Sequence, residues 1–185
     1  MNVAPGEDAA SLDLAALATD PDPEDQGKLT FRLKGSVPQG LTASIDGTAL
    51  KVSAAAETAK GTQARLTVSA DDGTTTPAEA TITVTVTAST RQLASANDDV
   101  IAQSNQGATE SVAVLENDVN PFPGKPLKVD SAVLETGEAS VVVKGDRVEV
   151  TSGKTFVGTV VARYRVLDAT GDADRAVEGR IRITV

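Results

Sequence analysis

Apolar and polar residues alternate with a period of two along most of this chain. In Lys28-Leu-Thr-Phe-Arg-Leu-Lys34, Leu29, Phe31 and Leu33 share one face and the charges take the other. Ala64, Leu66 and Val68 alternate with Arg65, Thr67 and Ser69, and Ala80, Ile82, Val84 and Val86 alternate with four threonines. That period predicts strands with one buried face. Residues 2–8 read as a short edge strand, limited by Pro5 and Gly6, and residues 11–17 as a strand running into a turn. Residues 41–45 and 48–53 should pair through Asp46-Gly47, a dipeptide expected to supply two positive-φ positions to a tight hairpin. About seven strands, with turn signals every 8 to 12 residues or so and no convincing helix, predict an antiparallel sandwich.

The pattern is played twice. Thr19-Asp-Pro-Asp-Pro23 returns as Asn117-Asp-Val-Asn-Pro121, and Ile82-Thr-Val-Thr-Val86 returns as Ile181-Arg-Ile-Thr-Val185. A repeat of about 90 residues is a whole small domain and not a turn of a solenoid. The expected division is a sandwich over 1–88, a linker over 89–98 whose Leu93 docks between the domains, and a second sandwich over 99–185. Strands of the second copy are expected at 100–103, 112–115, 127–134, 139–143, 148–150, 159–167 and 177–185, with Gly145-Asp146 as its tight hairpin. Register there is specific: Val160, Ala162, Tyr164 and Val166 inward, Arg163 and Arg165 outward; Ile181, Ile183 and Val185 inward, Arg180 and Arg182 outward.

Composition narrows the chemistry. Aromatic residues make up 2% of the chain, so the cores must be built from Val, Leu, Ile and Ala. With neither cysteine nor histidine, disulfides, thiolate and imidazole metal sites and the Ser-His-Asp or Cys-His nucleophile systems are excluded. A net charge of -9 argues against nucleic acid or an anionic membrane as main partner and favours loops that attract cations. No apolar run reaches the roughly 20 residues of a membrane span, and residues 1–20 lack a signal peptide's basic start and apolar middle. The start at Met1 and the end inside an apolar run read as a fragment of a longer protein.

With Asp71-Asp-Gly73, Asn117-Asp-Val-Asn120 and Asp168-Ala-Thr-Gly-Asp172 as its loops, each copy resembles bacterial immunoglobulin-like and cadherin-like repeats. The second, through Glu116-Asn-Asp-Val-Asn-Pro-Phe-Pro123 and Arg163-Tyr-Arg-Val-Leu-Asp168, is similar to repeats of very long actinobacterial surface proteins that also carry fibronectin type III modules. The resemblance implies an extracellular, secreted or cell-surface setting in which neighbouring repeats of the same chain are the first partners and a wall polymer or surface protein a further one.

Two candidate sites follow. At the top of copy two the topology should gather Asn97, Asp98 and Asp99 from the linker with Asp118, Asn120 and Asp168 from two loops, the hard oxygen donors that Ca²⁺ requires. Such residues beside Pro also make simple Asx-turns, and that reading stands next to the first. On the outer face, Arg163, Arg165, Arg180, Arg182 and Lys128 would lie together and could receive an acidic partner, unless Glu178, Glu149 and Asp130 interleave and neutralise them. Catalysis is not expected, because neither Asp71 with Asp72 nor Asp20 with Asp22 has an aromatic platform or a walling loop beside it. The expected role is a non-catalytic structural or adhesive repeat segment, with ligand binding through the arginine face as the alternative.

Overall fold

A computed structural model describes residues 1–20, 27–74 and 76–185 of the chain. It divides into two compact units, Met1–Thr90 and Arg91–Val185. Among the described residues the first unit has seven strands: β1 (Asn2–Val3), β2 (Ala10–Asp13), β3 (Thr30–Lys34), β4 (Leu41–Asp46), β5 (Ala49–Ala54), β6 (Gln63–Asp71) and β7 (Ala78–Val86). They form two sheets, β1-β7-β6-β3 and β2-β5-β4. The second unit repeats the scheme with β8 (Asp99–Ile101), β9 (Thr109–Val112), β10 (Lys128–Thr136), β11 (Ala139–Lys144), β12 (Arg147–Ser152), β13 (Thr159–Leu167) and β14 (Val177–Thr184). Its sheets are β10-β13-β14-β8 and β11-β12-β9. Both units are immunoglobulin-like, cadherin-like β-sandwiches. In each, every ladder among the described residues is antiparallel except the first strand's, which runs parallel to the last.

The cores are those the alternation predicts. Leu50, Val52, Leu66, Val84 and Val86 are buried in the first unit, and Val148, Val150, Val160, Ala162, Tyr164, Val166, Ile181 and Ile183 in the second. Each strand face sends its apolar residues between the sheets, where removing apolar area from water at about 25 cal/mol per Å² supplies the main drive to fold. Arg163 and Arg165 lie on the opposite face, so the register of β13 is as expected.

Three local features differ from the sequence reading. The first hairpin does not use two positive-φ residues, whereas Gly145-Asp146 forms the second as expected: all positive φ values among the described residues belong to glycine, with Gly47 at 61° and Gly145 at 67°. Asp46 pairs with Ala49 and Lys144 with Arg147, leaving two-residue loops whose first position is glycine, the type II′ pattern. β2 and β9 also end early. Leu14 and Val114 turn inward to cap the sandwich rather than extend a strand, and the Leu17 and Ala18 amides close onto the Leu14 carbonyl. Finally, residues 91–98, expected as linker, run against the second unit, where Ala94 is buried and Leu93 is 52% exposed.

Candidate functional site

Three segments meet at the loop end of the second unit: residues 91–99, the turn after β9, and the connection from β13 to β14. The last begins with Asp168, whose carboxylate accepts from the Thr170 amide and hydroxyl. That Asx-turn, then a 3-10 turn at Ala173–Arg175 capped by the Asp172 side chain, doubles the chain back. Arg175 consequently returns to Asp168, with Nε 2.8 Å from Oδ2 and both side chains almost fully removed from solvent. Its two remaining guanidinium nitrogens donate to the Arg91 and Gln92 carbonyls at 2.9 and 2.8 Å. One buried cation thus joins the loop to the approach segment. The guanidiniums of Arg91 and Arg175 lie 5.1 and 5.8 Å from the centroid of the buried Phe122 ring.

Further along the approach, Ser95 pairs with Val119 through two backbone hydrogen bonds of 3.0 and 2.9 Å. The Asn97 amide donates to Asp118 Oδ1 at 2.8 Å, and the Asn97 side chain donates to the Asn117 carbonyl. The Tyr164 hydroxyl rises from the core to this layer and donates to the Asn97 carbonyl at 2.7 Å, with the Val114 carbonyl and Asp118 Oδ1 farther off. Room for it comes from Gly179, directly across from Tyr164 on β14, where an added Cβ would collide with the phenol.

The six residues expected to form a calcium cage are therefore not assembled around one point. Asp168 is committed to Arg175, and Asp98 accepts from the Arg180 amide and the Arg182 guanidinium at 3.0 and 3.4 Å. Asn120 closes its own turn, accepting from the Phe122 amide and donating to the Lys125 carbonyl. Only Asp99 and Asp118 stay together, near Asn97 and beneath Tyr164. Among the described residues no group of three or more acidic side chains is placed to hold a metal ion.

Asp99 and Asp118 still form an unusual pair. Burial, followed by the charge of Asp118, pushes the Asp99 carboxyl up to about 6, against the pull of Tyr164 and Asn117 hydrogen bonds. Burial raises Asp118 too, opposed by the Asn97 amide. The same burial and the two carboxylates raise the Tyr164 phenol, which keeps it a neutral donor. Each aspartate has one buried oxygen without a hydrogen-bond partner. The pair can hold a proton near neutrality, a property absent from the sequence reading.

On the outer face, Arg163 and Arg180 stand directly opposite each other, as the register requires. Glu135 bridges them at 3.2 and 2.9 Å, and Glu178 adds a 2.9 Å contact to Arg163. Arg182 meets Asp98 and Arg165 meets Asp130. Lys128 faces Leu167 at the start of the β10–β13 ladder, apart from the Arg163–Arg180 pair. Glu149, expected among the neutralising acids, pairs with Lys144 instead, while Glu135 was not foreseen. The expected basic face is an interleaved network. In the first unit, Asp71 and Asp72 turn back on the Gly73 and Thr74 amides as Asx-turns; Asp22 lies outside the described residues.

No family model matches the chain, and no curated protein matches it. Among solved structures, an endo-fucoidan hydrolase of glycoside hydrolase family 107 is similar at 15% identity and a TM-score of 0.40, covering 100% of this chain and 27% of that one. Drosophila N-cadherin EC1-3 is similar at 10% identity and a TM-score of 0.46, with 99% and 62% covered, and the human Desmocollin-1 ectodomain at 10% and 0.34, with 99% and 39% covered. The chain thus spans about a quarter of the hydrolase and well under two thirds of the desmocollin. At these identities the likeness is one of strand arrangement.

Proposed function

We propose that this chain is a non-catalytic structural or adhesive repeat segment of a larger bacterial cell-surface or secreted protein. The observation that carries this reading is the Arg175 junction, in which the most deeply buried charges of the loop end are spent on holding the unit's own approach segment. A catalytic or binding centre keeps polar groups aimed at an absent reactant; the Arg175 guanidinium is aimed at the chain's own carboxylate and carbonyls. Among the described residues no helix is long and apolar enough to cross a membrane.

The test is retention of the intact protein on immobilised envelope polymers, acidic surface proteins and matrix fractions, beside a variant carrying Arg163→Glu, Arg165→Glu and Arg182→Glu. A structural segment gives no saturable retention that the triple variant abolishes. Saturable binding lost in that variant would replace this reading with ligand recognition through the arginine face.

A further inference from the structure

On the outer face of the first unit's four-stranded sheet, three cations stand without partners. Phe31, Leu66 and Val68 turn inward, so Arg32 and Lys34 on β3 and Arg65 on β6 project from the opposite side, where all three are exposed. The ladders place them: Arg32 faces Ser69, Lys34 faces Thr67, and Arg65 lies two residues before Thr67 and faces Thr83 on β7. Same-face residues repeat at about 6.7 Å along a strand, and diagonal neighbours on adjacent strands lie about 7 to 8 Å apart. Arg32, Lys34 and Arg65 therefore form one row, stepping from β3 to its neighbour. Among the described residues, none of the three side chains makes an ion pair or a hydrogen bond. Asp71, diagonal to Arg32, is turned back on the Gly73 amide, and Glu79 stands two strands away, beyond Ser69. On the second unit's outer face, by contrast, Glu135, Glu178, Asp98 and Asp130 take up the arginines.

We infer that this row is a docking face for an acidic polysaccharide, whose carboxylate or sulfate groups are fixed at intervals along a sugar chain. Charge complementarity selects an anion, because three unneutralised cations stand together on a chain whose net charge of -9 repels a polyanion elsewhere. Length selects a polymer. At these spacings the row runs about 14 Å, more than one small anion can bridge. The surroundings then favour sugar over other polyanions. Thr67, Thr81 and Thr83 border the row with hydroxyls, each a donor and an acceptor for the hydroxyls of a sugar. A single-stranded nucleic acid would stack its bases on aromatic rings, and the first unit's one aromatic residue, Phe31, is buried. An acidic peptide would seek pockets for its side chains, whereas the outward positions of β3, β6 and β7 are polar throughout. This deepens the adhesive side of the role proposed above and rests on it.

The experiment is titration of the whole ¹⁵N-labelled protein with oligogalacturonate and, separately, with dextran sulfate of similar length, followed through the amides of Arg32, Lys34, Arg65 and Thr67. Saturable shifts at those amides are expected with at least one of the two polymers, and none with neutral dextran. Raising salt from about 50 to about 200 mM should weaken binding on the order of tenfold. Arg32→Gln, Lys34→Gln and Arg65→Gln together should weaken it by about tenfold, the combined scale of three exposed charge pairs, while the spectrum away from β3 and β6 is unchanged. No saturable shift with either polymer, full affinity in the glutamine variant, or equal affinity for polyglutamate overturns this proposal and leaves the structural role in place. Binding that survives the glutamine variant but is lost with Arg163→Glu, Arg165→Glu and Arg182→Glu overturns that role as well.

Discussion

The two units share a strand order, yet their loop ends are built on opposite principles. In the second, a buried ion pair, a phenol and an approach segment close the end with directed hydrogen bonds. In the first, Leu14, Phe31, Val68 and Ile82 leave apolar surface in a trough. The difference teaches that the sandwich tolerates either solution because its core lies between the sheets, so the end layer is free to specialise. A few positions decide it, above all the returning Arg175 and the Tyr164–Gly179 couple against Val68–Ala80.

The comparison breaks most sharply at the ion pair. Arg175→Ala leaves Asp168 buried and uncompensated, and should cost the second unit about 3 to 5 kcal/mol while the first unit's transition stays in place. Unit-resolved NMR during chemical denaturation reads both. Arg175→Met combined with Asp168→Leu should recover much of that loss, because two apolar groups replace two charges; no recovery would mean that the carbonyl contacts of Arg175 outweigh the pair itself. Next in size, Gly179→Ala should cost the second unit about 1 to 3 kcal/mol by overpacking against the phenol. Combining it with Tyr164→Phe should relieve part of that cost. Tyr164→Phe alone removes the hydrogen bond to Asn97 and should cost about 1 kcal/mol, with faster amide exchange at residues 95–97.

Protonation gives a subtler contrast. Asp99 has a folded pKa of about 6 against an ordinary 3.8, so the folded state binds the proton more tightly than the unfolded chain. Its stabilising contribution is fully present below about pH 4 and is lost as pH rises through 6. Asp118 is shifted the same way, with Asp98, Asn117 and Tyr164 as the other groups acting on the pair. The melting temperature of the second unit should therefore fall between pH 4 and 6.5 relative to that of Asp99→Asn, whose amide cannot ionise. Parallel curves for the two proteins would remove the pair from the account. Smallest of all, Arg182→Gln breaks only a half-exposed 3.4 Å contact and should move stability by less than about 0.5 kcal/mol.

How much of this was legible depends on the range of the interaction. Strand register was readable because period-two alternation is a local signal: Tyr164 and Val166 inside with Arg163 and Arg165 outside follow from six consecutive residues. The hairpins were visible through their glycines, although which position takes positive φ is settled by where the ladder closes, at Asp46–Ala49 and Lys144–Arg147. Arg175 was invisible. It sits in Asp172-Ala-Asp-Arg-Ala176, which reads as a solvated charged loop, and is buried only because an Asx-turn and a 3-10 turn reverse the chain onto Asp168. The grouping of Asp and Asn was legible as a cluster at one end but not as a set of contacts, since the donors that consume Asp98, Asp168 and Asn120 come from backbone amides and arginines whose approach has no sequence period.

The parallel pairing of first strand with last has a mechanical consequence. When a unit is drawn apart by its two ends, the first strand is pulled along its axis in one direction and the last in the other, so the hydrogen bonds between them are sheared together instead of being unzipped one by one. The first unit resists through the Thr85 and Thr87 amides bound to the Met1 and Val3 carbonyls at 3.0 and 2.8 Å. In the second, the three-residue β8 ladder is extended by Asp98, which accepts from the backbone amide of Arg180 on β14 and from the Arg182 side chain. Under tension, the second unit is therefore the stronger clasp.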